Sequence, residues 1–76
     1  MKSEYHMTLI YEWWGEIRNP PDGPVSICYH RLDGPALIRY ELDNVKYESY
    51  WLLNNKVTKK EFYTPGFIDS FIMEHS

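Results

Sequence analysis

The chain has 76 residues and a net charge of −3, and these two values limit what it can be. Its length predicts a single domain, residues 1–76, which buries only about 60% of the surface that its unfolded form exposes. Aromatic residues make up 17% of the sequence and supply large apolar side chains for so small a core. The negative charge argues against a sequence-independent nucleic-acid binder, which would need a basic stripe.

Cysteine content and hydropathy further limit the class of protein. Cys28 is the only cysteine, which excludes a secreted disulfide scaffold, and we interpret it as a small buried thiol on a strand rather than a nucleophile. No apolar run approaches the roughly 20 residues of a membrane-spanning helix, and the N-terminus does not have the form of a signal peptide. We therefore expect a cytoplasmic protein that does not engage a membrane, with residues 1–7 disordered or part of a tag.

Four segments within residues 8–57 have strand patterns. They are rich in β-branched and aromatic side chains or alternate between apolar and polar residues, and Gly, Pro, Asp or Asn separates them. The predicted strands are residues 8–14, 25–29, 36–42 and 46–53. Three prolines make residues 15–24 a stiff loop, and Asp43-Asn44 and Asn54-Asn55 predict tight turns.

Residues 58–75 change to a helical pattern. Thr58 and Glu61 have the spacing of a capping box, and Thr64-Pro65 predicts a second helix start. The apolar residues 67, 68, 71 and 72 then form one helical face, which is too short to be stable unless it packs on the sheet. The predicted fold is therefore mainly β (α+β): an antiparallel four-stranded meander of hairpin repeats with a short C-terminal helix packed on one face.

The tripeptide Asp-Gly-Pro occurs twice, as Asp22-Gly23-Pro24 and as Asp33-Gly34-Pro35. In each copy we expect Asp to cap a turn, Gly to adopt a conformation that other residues resist, and Pro to fix the exit. Two copies in so short a chain predict repeated hairpin units.

The residues around the second copy resemble a known family. His30-Arg31-Leu32-Asp33-Gly34-Pro35-Ala36 resembles the H-R-x-D-G-P-A signature of degenerate, MORN-like hairpin repeats that occur in tailed phages and large DNA viruses. The segment from Tyr50 to Lys56 is similar to the W-Y-x-N-G-K segment of those repeats, with Asn55 in place of Gly. The resemblance implies a hairpin-repeat fold unit and a viral origin, and it implies almost nothing about activity.

Catalytic and metal chemistry are not indicated. The histidines His6, His30 and His75 are far apart in the chain and lack metal-ligand spacing, and no phosphate-binding loop or nucleophile elbow is present. We expect no enzyme activity, metal, cofactor or small-molecule substrate. The predicted role of His30 and Arg31 is to order the Asp33 turn by hydrogen bonding.

Strand alternation predicts a contact surface. If one set of residues faces the helix, the other set lies on an open acidic face with two exposed rings, which is a common arrangement in protein interfaces. The predicted helix-facing set is Tyr11, Trp13, Ile38, Tyr40, Tyr47 and Trp51. The predicted partner-binding set is Glu12, Trp14, Arg39, Glu41, Glu48 and Tyr50. The alternative is an ordinary solvent-exposed sheet face whose Trp14 packs under the proline loop.

These residues favour a non-enzymatic protein-binding module. Given the viral resemblance, the specific expectation is a phage accessory protein that binds and inhibits a bacterial host or defence protein, for example a CRISPR–Cas component, through its nucleic-acid-binding groove. One alternative is a structural or self-assembling β-repeat protein that forms a homodimer. Another is a weak binder of single-stranded nucleic acid that uses aromatic rings with Arg18, Arg31 and Arg39.

Overall fold

A computed structural model describes residues 1–75 as one layer of antiparallel strands with two short helices on one side. The strands are β1 (Glu4–Met7), β2 (Tyr11–Arg18), β3 (Ser26–Tyr29), β4 (Leu37–Glu41), β5 (Asn44–Leu52) and β6 (Asn55–Val57). The helices are α1 (Lys59–Phe62) and α2 (Phe67–His75). The prediction of a mainly β, antiparallel sheet followed by a short C-terminal helix is confirmed.

The sheet has six strands where the sequence predicted four. One of the additional strands is β1, so residues 4–7 are ordered against β2 rather than disordered. The order across the sheet is β1-β2-β4-β5-β6, and β3 also pairs with β2. Strands β3 and β4 share one edge of β2, since β4 pairs with residues 11–13 and β3 with residues 15–18. The topology therefore departs from a simple meander.

Two tight turns join β4 to β5 and β5 to β6. Both central residues of each turn have positive φ, with values of 51° and 64° at residues 42–43 and 49° and 64° at residues 53–54. Each turn is one residue earlier than predicted. The asparagine that follows donates its side-chain amide to the carbonyl of the turn's leucine, at 3.1 Å for Asn44 and 2.9 Å for Asn55. The asparagines therefore close the turns from outside, while leucine occupies the left-handed position.

Residues 30–36, which carry the repeat signature, run between β2 and β5 and bond to both strands. The His30 N–H donates to the Trp14 carbonyl at 3.0 Å. The fully buried Ala36 accepts from the Trp14 N–H at 2.8 Å and donates to the Ser49 carbonyl at 2.9 Å. The segment thus links two strands that would otherwise be separated.

The imidazole of His30 is buried and bonds to a turn other than the predicted one. Its Nδ1 accepts a hydrogen bond from the Leu53 N–H at 2.9 Å, which places the neutral ring's proton on Nε2. Burial lowers the pKa of His30 below its ordinary value. His30 therefore supports the β5–β6 turn rather than the Asp33 turn.

Arg31 holds the Asp-Gly-Pro turn. Its Nε pairs with the Asp33 carboxylate at 2.8 Å, and another guanidinium nitrogen donates to the Pro35 carbonyl at 3.0 Å. A Cβ added at Gly34 would lie only 3.1 Å from the guanidinium carbon, so the missing side chain makes room for the arginine. The first copy of the tripeptide, residues 22–24, lies exposed in the loop between β2 and β3.

The predicted capping box begins α1. The Thr58 hydroxyl accepts from the Glu61 N–H at 3.1 Å, and the Glu61 carboxylate accepts from the Thr58 N–H at 3.0 Å. Helix α2 begins at Phe67, later than the predicted start at Thr64-Pro65, because Gly66 intervenes with φ of 81°.

The helices cover one end of the sheet and form the main apolar cluster with β5 and β6. This cluster consists of the buried residues Tyr50, Leu52, Val57 and Phe62 and the partly buried residues Phe67, Ile68 and Phe71. Within residues 1–75, no helix is long and apolar enough to cross a membrane.

The molecule is flat, and much of the sheet is uncovered. Its extents are 38 × 34 × 15 Å, and its radius of gyration is 13.3 Å, compared with about 11.4 Å for a compact domain of this length. Its accessible surface is 5580 Å², compared with about 4,900 Å² for a compact chain of this mass. A second layer is therefore missing over part of the sheet.

Candidate functional site

Strand register assigns each side chain to one of two faces, because residues directly opposite each other on antiparallel strands point to the same side. Ile38 lies opposite Glu12 on β2 and opposite Glu48 on β5. By alternation Tyr50 is on the same side, and it contacts Phe62 of α1, so we call this side the helix-bearing face. The other side is called the open face.

The register corrects the predicted division of the sheet. Arg39 lies opposite Tyr11 and Tyr47, on the open face, rather than beside Glu12 and Glu48. The β2–β4 register brings Arg39 opposite Tyr11. A β-bulge between Arg39 and Tyr40, where Lys46 of β5 is passed over, brings it opposite Tyr47. One additional residue reverses the face of every later pairing, and the alternation pattern carried no sign of it.

The residues that lie under the helices also differ from the predicted set. Predicted helix-facing residues Tyr11, Trp13, Tyr47 and Trp51 lie on the open face, while Ile38 and Tyr40 lie on the helix-bearing face. The helices pack on the even-numbered residues of β5, and the spacing of apolar residues in β5 did not indicate which face of the sheet the helices would cover.

The six predicted contact residues are therefore not brought together. Glu12, Trp14 and Glu48 share the helix-bearing face. Tyr50 lies on the same face but is only 5% exposed, so its predicted place on an open surface is wrong. Tyr50 packs against Phe62 and Tyr63, which also raise its pKa through burial and hydrogen bonding. Glu41 is exposed at the end of β4 and pairs with Lys46 at 3.1 Å.

Three residues of the predicted surface, Glu12, Trp14 and Glu48, lie together with Tyr5 and Tyr40, and these five residues are called the acidic patch. Its centre is the Glu12 carboxylate, which accepts hydrogen bonds from the Tyr5 hydroxyl at 2.9 Å and from the Tyr40 hydroxyl. These bonds, that from Tyr40 foremost, lower the pKa of Glu12 and raise the pKa values of both tyrosines. The patch therefore holds a fixed carboxylate that stays charged and two hydroxyls that stay protonated at neutral pH.

Trp14 is held between two neighbours at the edge of the acidic patch. The Tyr5 ring lies on one side, with centroids 5.1 Å apart, and the Arg31 guanidinium lies 3.6 Å from the indole centroid. The arginine, rather than the proline loop, covers this indole. Because Arg31 is itself fixed by the Asp-Gly-Pro turn, the repeat signature positions one ring of the patch.

The open face carries rings that the sequence had assigned to the core under the helix. Trp13 stacks on His6 with centroids 3.8 Å apart and meets Tyr29 edge-on at 6.0 Å, and Tyr29 contacts Trp51 at 5.0 Å. These rings adjoin a shallow concavity of about 310 Å³. The concavity is lined by Thr8, Tyr11, Trp13, Ile27, Tyr29, Leu37 and Tyr47. Periodicity could not distinguish such a face from one covered by a helix.

The three arginines that were considered for nucleic-acid binding lie apart. Arg39 is on the open face, with its guanidinium carbon 5.8 Å from the centroid of the Tyr11 ring. Arg31 is on the opposite face, over Trp14, and Arg18 pairs with Ser26 at the far end of β2.

Within residues 1–75, no three His, Cys, Asp or Glu side chains form a group that could hold a metal ion. Cys28 is buried on β3. Scans against protein-family models, curated proteins and solved structures found no match to this chain. The hairpin-repeat resemblance stays a prediction, and the two faces of the sheet carry the functional proposals.

Proposed function

We propose that the protein is a non-enzymatic protein-binding module whose contact surface is the acidic patch. The observation that carries the proposal is the Glu12 carboxylate held between two tyrosine hydroxyls on a rigid sheet. A charged group in a fixed position loses little freedom on binding, so it can pair with a basic group of a partner at low entropic cost.

The surroundings of Glu12 have the chemistry of a protein interface. Tyr5 is 52% exposed, Tyr40 and Trp14 are partly exposed, and Glu48 is exposed in the same cross-strand row as Glu12. Tyrosine and tryptophan are frequent anchors of binding energy, and clustered carboxylates speed encounter with a basic surface. The patch therefore suits a partner with exposed lysine or arginine side chains.

A basic nucleic-acid-binding groove is one such partner surface. The resemblance to phage hairpin repeats makes a bacterial host or defence protein, for example a CRISPR–Cas component, the partner to test first. In that case the acidic patch would occupy the groove in place of the nucleic-acid backbone, and the protein would act as an inhibitor in the cytoplasm of an infected cell.

The test is quantitative capture from bacterial lysate by the immobilised full chain. Glu48→Lys should reduce capture of a specific protein at least tenfold, because it brings a positive charge to the basic partner. Glu12→Gln should also reduce it, since the fixed charge is lost while the side-chain shape stays.

Glu74→Lys is the matched control, because it makes the same charge reversal at an exposed position on α2. Capture should also fall as salt rises, because exposed charge pairs are screened. Equal capture by wild type, Glu48→Lys and Glu12→Gln would refute the assignment of this patch.

A further inference from the structure

We propose that the open face is the interface of a homodimer, in which two sheets pack face to face around a two-fold axis parallel to their strands. The proposal does not depend on the proposed function, because it concerns the opposite face of the sheet.

The excess surface of the whole chain sets the scale of such an interface. Each chain exposes roughly 650 Å² more than a compact chain of its mass. Two copies that cover this excess would bury roughly 1,300 Å² in total, within the range of stable protein–protein interfaces. Sheets that pack face to face with aligned strands are a common way to complete a core.

The exposed apolar side chains of the open face are suited to such packing. Tyr47 and Ile27 are 42% and 39% exposed at opposite ends of the concavity, and Ile17 beside Ile27 is 51% exposed. Half-exposed aromatic and branched apolar side chains on one flat surface stabilise a monomer poorly, whereas a second sheet would remove them from water.

The charges at the margins of the open face point to a second copy of this chain. Glu4 on β1 lies opposite Gly15, Gly15 lies opposite Tyr29, and the Tyr29 ring contacts Trp51. Trp51 lies opposite Lys56 on β6, so Glu4 and Lys56 end the same cross-strand row, one at each edge. Four strand spacings of about 4.8 Å separate them by roughly 19 Å.

A two-fold axis parallel to the strands places the β1 edge of one copy over the β6 edge of the other. Glu4 of each copy then meets Lys56 of its partner, which forms two identical charge pairs at the rim. Arg39 and Glu41 lie on the central strand β4 near the hairpin turn, where Glu41 already pairs with Lys46 at 3.1 Å. The two edges of the open face therefore complement each other in charge.

Such a dimer would present two acidic patches on its two outer surfaces. A partner with two basic sites, or a partner that is itself dimeric, could then be bound by both patches at once. Neither patch is covered by the dimer, because the helix-bearing faces point outward.

Sedimentation equilibrium of the full chain at rising concentration tests the proposal. Wild type should reach twice the 9.2 kDa mass of one chain at micromolar concentration. Ile27→Glu should remain monomeric at high micromolar concentration, since it would bury two unpaired carboxylates in the interface. The control Met73→Glu changes an 80% exposed residue on α2 and should dimerise as wild type does.

A charge swap separates a homodimer from other occupants, and it keeps the test valid if Ile27→Glu fails to fold. Glu4→Lys and Lys56→Glu should each raise the dissociation constant of the dimer about tenfold, and the double variant should restore it. Lys59→Glu, an exposed reversal on α1, should have no effect. A wild type that stays monomeric at high micromolar concentration would overturn the proposal, and so would a double variant without rescue.

Binding of single-stranded DNA by monomers, abolished by Arg39→Glu, would assign the open face to nucleic acid instead and would also overturn the dimer. If the chain stays monomeric but Glu48→Lys still reduces capture of a partner, the dimer is refuted and the proposed function stands. If the chain dimerises but Glu48→Lys does not reduce capture, only the proposed function is refuted.

Discussion

Replacing His30 by phenylalanine tests whether the repeat signature stabilises the fold through its buried histidine. The imidazole Nδ1 is the acceptor for the Leu53 N–H at 2.9 Å, and Leu53 has the strained φ of 49°. Phenylalanine keeps an aromatic ring, slightly larger than imidazole, but removes the acceptor, so the part-buried Leu53 N–H would lose its partner at a cost of about 1–3 kcal/mol. For a small domain with a stability near the lower end of the usual range, this is a large fraction of the total free energy of unfolding.

The assay is urea unfolding followed by tryptophan fluorescence. With a urea dependence of about 1 kcal/mol per molar for a small domain, the midpoint should fall by about 1–3 M. His30→Asn keeps an acceptor oxygen near the position of Nδ1 and should lose less stability than His30→Phe. A His30→Phe variant as stable as wild type would refute the assigned role.

The same histidine predicts a pH dependence. Because burial lowers the pKa of His30 in the folded state, the unfolded state takes up a proton first as the pH falls. The stability is therefore complete above the ordinary histidine pKa of about 6.5 and is lost as the pH falls through the lowered folded-state pKa. The difference in unfolding free energy between wild type and His30→Phe should shrink from pH 7.5 to pH 5.5, and a constant difference would contradict this explanation.

Three further predictions concern stability, each measured by the same urea titration. Arg31→Ala should lower the free energy of unfolding by about 2 kcal/mol, because it removes a charge-assisted hydrogen bond and a cation–π contact. Asp33→Ala should lower it by less than about 1 kcal/mol, because the Asp33 side chain is 83% exposed. Equal losses for the two variants would contradict the central role of the arginine in this turn. Leu42→Asn combined with Asp43→Gly should stabilise the chain by about 1 kcal/mol, because both positions have positive φ and an Asn-Gly pair favours such a turn. A loss of stability would show that the exposed Leu42 side chain makes a stabilising contact. Thr58→Ala should cost about 1 kcal/mol through loss of the helix cap, and an unchanged midpoint would mean that tertiary packing alone holds α1.

Much of the local structure follows from the sequence. The capping box at Thr58, the strand segments and the apolar face of α2 depend on neighbouring residues and their periodicity, which a single sequence contains. The role of Arg31 in the Asp33 turn was also predictable, because the two residues are only two positions apart in the chain.

The assignment of residues to the two faces was harder to predict from the sequence, because it depends on pairing between strands that are distant in the chain. The bulge at Lys46 shifts the register of β5 by one residue, and that shift moves Tyr40 and Tyr47 to opposite sides. The side on which the helices pack is decided by contacts of Tyr50 with Phe62, twelve residues away. Local patterns contain neither piece of information, so the contact surface was predicted with three of its six residues misplaced: Arg39, Glu41 and Tyr50.

The division of the sheet into two faces depends most on which ring of β5 lies under the helices. Nuclear Overhauser contacts of the Tyr50 ring, measured by NMR on the folded chain, test this most directly. We predict contacts from Tyr50 to the Phe62 ring, together with contacts from the Trp51 ring to Tyr29. Contacts from the Tyr50 ring to Trp13 or Tyr29 would place it on the open face and would contradict the division of the sheet on which both proposed surfaces depend.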